Sequence, residues 1–375
     1  MEILLILLFT IIPLILLMTG VTFYSTSKES WYGSVAAILK SKEAKIATKN
    51  ILRETLHKKS ITEALSTLMR TELGNYISKR VTEETHYQEI ERITWYALSY
   101  DLSDIEKLLQ GTYKEAFEAF MYRYDIYNIK SMIRASFFKG RKVSLIPLGN
   151  LINLQNIEKF ETVKALTEIV RLLEAEGYYR EARLIEAYIP RLEARDVTAV
   201  ILLEKELVKY WYEKILNVIS KTSNPVLLNV AGMLIDMDFI LSVIRFIHAE
   251  ATELKENIVD LTYNLTSEDR RRLLESKSID EVLAILQQSP YKSIINDILK
   301  QELHKEPLLL DLAIRVCFIK HILSSLLGDL FNIKPLITYL LLKELEIHTL
   351  LLIFKVIFLN LPRSEYEKIV HLYPL

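Results

Sequence analysis

The chain has 375 residues, half of them hydrophobic and a quarter charged, with a formal net charge of −1. That balance describes a folded body rather than a disordered one, and it lacks the basic excess by which a nucleic-acid binder is recognised. Only nine Gly and nine Pro are present, well under the average usage of roughly 7% and 5%; both disfavour helix interiors, so their scarcity points to an all-α fold.

The chain opens on an apolar stretch, Ile3 to Ser27, with no charged residue. Its length suffices to span a bilayer, and the lysines that follow (Lys28, Lys40, Lys42, Lys45, Lys49) would then keep the rest of the protein in the cytoplasm. Glu2 in place of a basic leader residue argues against a cleaved signal peptide. Two readings stay open: a transmembrane or membrane-apposed segment over residues 1–27, or a translation start at Met18.

From Tyr32 to His371 the helical period runs almost without a break, cut by sparse Gly, Pro and Asn turns into roughly a dozen and a half helices. Ser60-Ile61-Thr62-Glu63 opens one with the Ser-x-x-Glu pattern of a capping box, followed by Tyr76; Ser278-Ile279-Asp280-Glu281 repeats it, followed by Tyr291. A middle copy, slipped in register, is expected near Thr162 to Val170 with Tyr178-Tyr179. The apolar helix Ile90 to Tyr100 has a loose counterpart at Leu203 to Tyr212.

A further element recurs three times. An acidic residue is followed nine positions on by a basic one, with apolar residues at helical spacing between: Asp125 to Arg134, Asp236 to Arg245, and Glu346 to Lys355. The copies lie about 110 residues apart, and a regular period means one structural unit used three times. The expected organisation is an all-α array of three pseudo-symmetric helical units, 28–135, 136–245 and 246–375, the last with a C-terminal closure. Nine residues are two and a half turns, so acid and base do not face each other. Helix-end electrostatics would suffice to explain them, with Asp125 near the N-terminal end of its helix and Arg134 near the C-terminal end.

Catalytic chemistry has little to work with. No P-loop, G-x-G-x-x-G or G-x-S-x-G is present, and the seven histidines show no H-x-x-x-H spacing. The lone Cys317 excludes a thiolate zinc site and reads as a small buried hydrophobe in an intracellular protein. Asp236 and Asp238 diverge on a helix, so a metal site there is not expected. The basic runs Arg270-Arg271-Arg272 and Lys139-Gly140-Arg141-Lys142 read as solvated faces. No cofactor, metal, nucleic acid or small-molecule substrate is expected.

Tyr124-Asp125-Ile126, Asn128-Ile129-Lys130 and Arg134-Ala135, followed by Gly140, resemble the "YDI-x-NIK" helix of the C subunit of the archaeal-type (A/V-type) ATP synthase, a family that includes the d subunit of the vacuolar ATPase. Pro147-Leu148-Gly149 sits where that family has a similar turn. Lys343-Glu344-Leu345-Glu346-Ile347, with Leu361-Pro362 beyond, is similar to its closing helix. The resemblance runs from about Trp31 to the end. It implies a funnel of three helical units, a non-catalytic central-stalk part between the membrane rotor ring and shaft subunits of D/F type, in proton- or sodium-driven ATP synthesis, peripheral on the cytoplasmic side of the cell membrane. The apolar leader is not a family feature, and Phe239 and Thr349 stand where the second and third copies would have an Asn. A membrane-anchored helical-repeat adaptor unrelated to ATPases accounts better for the leader. An all-α isoprenoid synthase is disfavoured by the absence of DDxxD.

Overall fold

The computed structural model describes residues 30–138, 143–251, 254–255, 258–259, 261–303, 307–328 and 332–375. The apolar leader, Met18, and the basic run 139–142 lie outside the described residues. Seventeen helices and no strand occur among those described, so the fold is all-α.

After α1 (30–43) come five helices, three shorter and two long: α2 (Lys49–Leu56), α3 (Ile61–Leu68), α4 (Glu72–Ser78), α5 (Tyr87–Glu106) and α6 (Gly111–Phe137). The same order follows twice more. The second group is α7 (Ile157–Glu161), α8 (Leu166–Ala175), α9 (Tyr179–Glu193), α10 (Val197–Ser220) and α11 (Pro225–His248). The third is α12 (Ser267–Glu275), α13 (Ile279–Leu286), α14 (Lys292–Lys300), α15 (Pro307–Ser325) and α16 (Lys334–Phe358), and α17 (Arg363–Leu372) ends the chain.

Helix starts follow the local sequence. Ser60 and Ser278 accept the amides of Glu63 and Glu281, as the Ser-x-x-Glu pattern requires, each cap being worth about 1 kcal/mol. The middle copy begins later than expected: Thr162 closes α7, and α8 starts at Leu166. Its N-cap Ala165 has no hydroxyl, but the Glu168 carboxylate still takes the Ala165 amide, so half of the box survives. Tyr178 and Tyr291 each stand at the start of a helix, whereas Tyr76 lies inside α4 against Tyr100 and beneath Arg80.

The long helices carry the core. The last of each group packs on the first long helix of the next: α6 on α10, α11 on α15, and α16 back on α5. The packing therefore closes into a circuit. Helices α11 and α16 are buried on nearly every side, α6 keeps Lys114, Glu115, Tyr127 and Arg134 exposed, and none of the three shows a marked amphipathic stripe. Among the described helices, α11 is long and apolar enough to cross a bilayer, but 78% of its apolar window is buried in this core.

Candidate functional site

The acid of each repeated motif sits in mid-helix, not near an N-terminus, and this corrects the helix-dipole expectation for Asp125. The buried Asp125 accepts the amides of Asn150 and Leu151 (3.1 and 2.8 Å) and the hydroxyl of Tyr178 (2.7 Å). Asp236, equally buried, accepts the amides of Tyr263, Asn264 and Leu265 (2.7, 2.7 and 3.2 Å) and the hydroxyl of Tyr291 (2.5 Å). Glu346 accepts the amide of Ala47 at 2.8 Å and, on the same helix, the ammonium of Lys343 at 3.1 Å. Each carboxylate thus holds the loop that leads into the first short helix of the next group, the third reaching back to the loop between α1 and α2 of the first. Burial raises all three pKa values, that of Asp125 to about 6, against the donors that favour the charged form.

Asn128 adds a second clamp. Its amide donates to the carbonyls of Ile146 and Leu148 and its carbonyl accepts the Ile146 amide, which fixes the Pro147-Leu148-Gly149 turn. Gly149 has φ +128°, and a Cβ there would lie 2.0 Å from Asp125 Oδ1, so the carboxylate needs a glycine beneath it. Phe239, at the matching position of α11, is a buried core ring. Thr349, in α16, is buried with its hydroxyl unpaired.

The bases do lie in last turns, where a cation suits the helix end, and they also tie the groups together. Arg134 makes a bidentate pair with Glu204 on α10, both contacts at 2.5 Å. Arg245 pairs at 2.6 Å with Asp311 on α15, whose carboxyl is held low by Arg315 and Arg245 against its burial. Lys355 acts electrostatically on Glu91 of α5, where burial raises the carboxyl and Lys355 opposes it. Glu204, Asp311 and Glu91 are the partners that a reading of one helix at a time does not reveal.

Two residues are about 200° round a helix, so positions flanking each acid by two point the other way. They face a cavity of about 590 Å³ lined from α5, α6, α10, α11, α15 and α16. Arg123 and Tyr127, Leu234 and Asp238, and Glu344 and His348 are these flanking positions, all in its wall. Asp238 indeed diverges from Asp236, accepting the Tyr212 hydroxyl at 3.0 Å. Arg123 pairs with Glu344 across the cavity wall; burial opposes the charge on Glu344, but Arg123 outweighs it and holds the carboxyl at about 2. Trp95 meets His348 and Tyr124 edge-on at 5.8 and 6.1 Å. The wall mixes paired charges, aromatic edges and aliphatic surface.

Among the described residues no group of three His, Cys, Asp or Glu side chains could hold a metal. Cys317 is buried, and burial pushes its thiol up to about 12, far from nucleophilic range. Arg271 is engaged by Glu268 and Glu275 on the outer face of α12.

Comparison with known proteins gives a consistent result. Residues 35–369 match the family described as ATP synthase (C/AC39) subunit. The C subunit of the A-type ATP synthase of Methanocaldococcus jannaschii is 25% identical over 353 residues, covering 90% of this chain and 86% of that one. The protein of the same name from a Desulfurococcus species is 26% identical over 353 residues, covering 89% and 90%. That of Thermococcus onnurineus is 25% identical over 353 residues, covering 89% of each.

Proposed function

The chain belongs to the ATP synthase (C/AC39) subunit family, and we propose that it is the non-catalytic socket of a rotary A/V-type ATP synthase. In that role it sits on the cytoplasmic side of the membrane rotor ring and receives the foot of the central shaft, built of D/F-type subunits, so that rotation driven by ions turns the shaft. Its three five-helix groups act as one structural unit used three times. The observation that carries this reading is the closed circuit of long helices around a cavity of mixed lining. Torque transfer needs a stiff body, and long, largely buried helices tied group to group by Asp125, Asp236 and Glu346 supply stiffness. A shaft of different symmetry needs contacts that are wide and weakly directional, which a wall of aromatic edges, aliphatic surface and paired charges provides.

The test is reconstitution. A complex stripped of this chain should hydrolyse ATP without pumping ions, and adding the purified chain back should restore pumping. Retention of full coupling without the chain would refute the assignment and favour the adaptor reading.

A further inference from the structure

The three junctions of the circuit are not alike. The first and second groups are continuous in the chain across Asp125's loop, and so are the second and third across Asp236's. Loss of a contact there leaves the partners tethered at high effective concentration. The junction from the third group back to the first has no such tether. We infer that this seam is a latch, and that the circuit opens there into a C-shaped molecule while the other two junctions stay closed.

The seam is built differently. Its acid, Glu346, takes a single backbone amide across the junction, where Asp125 takes two and Asp236 three. Tyr178 and Tyr291 complete the other two sites, but Tyr76 is turned into α4 and does not reach Glu346. Tyr373 approaches instead, and its buried hydroxyl has no hydrogen-bond partner. Besides a Tyr87 hydroxyl that donates to the Leu351 carbonyl at 3.1 Å, the seam buries an ionic cluster. Lys343 of α16 pairs with Asp101 of α5 at 3.3 Å, and Asp101 also takes Lys42 at 2.6 Å. Buried ions regain hydration on exposure, so such a cluster holds two surfaces in register with little net resistance to parting. What holds the seam shut in addition is a strap. Helix α17 packs on α15 and α16 of the third group and on α2 of the first, where Arg363 caps the carbonyls of His57 and Lys58 at 3.1 and 2.7 Å, and the Leu375 carbonyl accepts the Lys49 amide at 2.7 Å.

Native-state hydrogen exchange on the full chain reads the latch through four amides: Ala47 and Lys49 at the seam, Leu151 and Leu265 at the other junctions. Corrected for intrinsic rates, the seam pair should exchange at least about tenfold faster. In the Arg363→Ala variant the seam pair should accelerate further, with Leu151 and Leu265 changing less than about twofold. Four amides exchanging at one common rate, or accelerating together in the variant, would overturn the latch. To separate opening from fraying of the 44–48 loop, spin labels on the exposed Met69→Cys and the half-exposed Glu365→Cys span the seam. They should show a second, longer distance that grows with Arg363→Ala; a single unchanged distance would overturn the proposal.

Discussion

Asp125 carries the most information per residue. Its carboxylate is fully enclosed, yet it meets only donors: two backbone amides, the Asn150 side chain and the Tyr178 hydroxyl. Asp125→Asn turns one acceptor oxygen into a donor facing other donors and should cost about 1–3 kcal/mol in denaturant unfolding at pH 7. The variant also exposes the linkage. The folded carboxyl titrates at about 6, against a value of 3.8 in an open chain, so the native state takes up a proton where the unfolded state does not. The penalty on the charged form is absent below about pH 4 and complete above about pH 6, so wild-type stability rises relative to Asp125→Asn as pH falls from 7 to 4. The full span is up to about 3 kcal/mol; a difference independent of pH would remove the raised pKa from the account. Gly149→Ala attacks the same site from below. The added Cβ meets Oδ1 at 2.0 Å, and φ +128° strains any side chain, so a loss of about 2–4 kcal/mol is expected from the same unfolding measurement. The sequence marked Asp125, Asn128 and Gly149 as motif residues but not their purpose, because their partners are backbone amides and carbonyls of a loop some 20 residues away, and backbone groups leave no trace in residue type.

At the scale of elements, the same helix period that revealed α6, α11 and α16 also concealed what they do. An amphipathic stripe names one buried face; these helices bury residues on several faces, so their buried polar residues need partners on more than one side. A polar residue at i with another at i+2, and in α6 and α16 also at i−2, is the available signal that such a helix has one face tied to a neighbour and the opposite one lining a cavity. The bases were legible as last-turn residues, while Glu204, Asp311 and Glu91 were not, since ties between groups are invisible in a single-helix reading. The coupling of α11 to the next loop is directly measurable. Gly232 lies beneath the Tyr263 ring, and a Cβ there would come within 2.1 Å of it. Gly232→Ala should destabilise by about 1–3 kcal/mol, and Tyr263→Ala should relieve most of that cost, giving a strongly non-additive double-mutant cycle. Additive losses would mean that the loop is free to move away from α11. Arg134→Ala, by contrast, removes a pair whose arginine is half exposed, and should cost no more than about 1 kcal/mol.

At the scale of the whole molecule, the all-α class followed from scarce Gly and Pro, and the recurrence of about 110 residues was visible because acid and base recur at fixed spacing. The closure of the circuit was not visible, because the third acid reaches back some 300 residues to Ala47. The molecule's surface also bears on nucleotide binding. A phosphate needs unpaired backbone amides at a helix start or a glycine-rich nest. Seven helix starts, those of α2, α3, α4, α10, α11, α12 and α13, are already occupied by Thr48, Ser60, Thr71, Asp196, Asn224, Thr266 and Ser278, whose side chains accept those amides, and the sequence carries no glycine-rich phosphate loop to supply a nest. At the cavity Arg123 pairs with Glu344, and Arg245 and Arg315 pair with Asp311, so these three arginines are already engaged by carboxylates. The isolated chain should therefore give no heat of ATP binding at micromolar to millimolar nucleotide, with or without magnesium, and no phosphate release. Measurable ATP affinity in calorimetry would mean that a capped helix start or an arginine pair opens to admit an anion, and would sink the reading of this chain as a purely mechanical part.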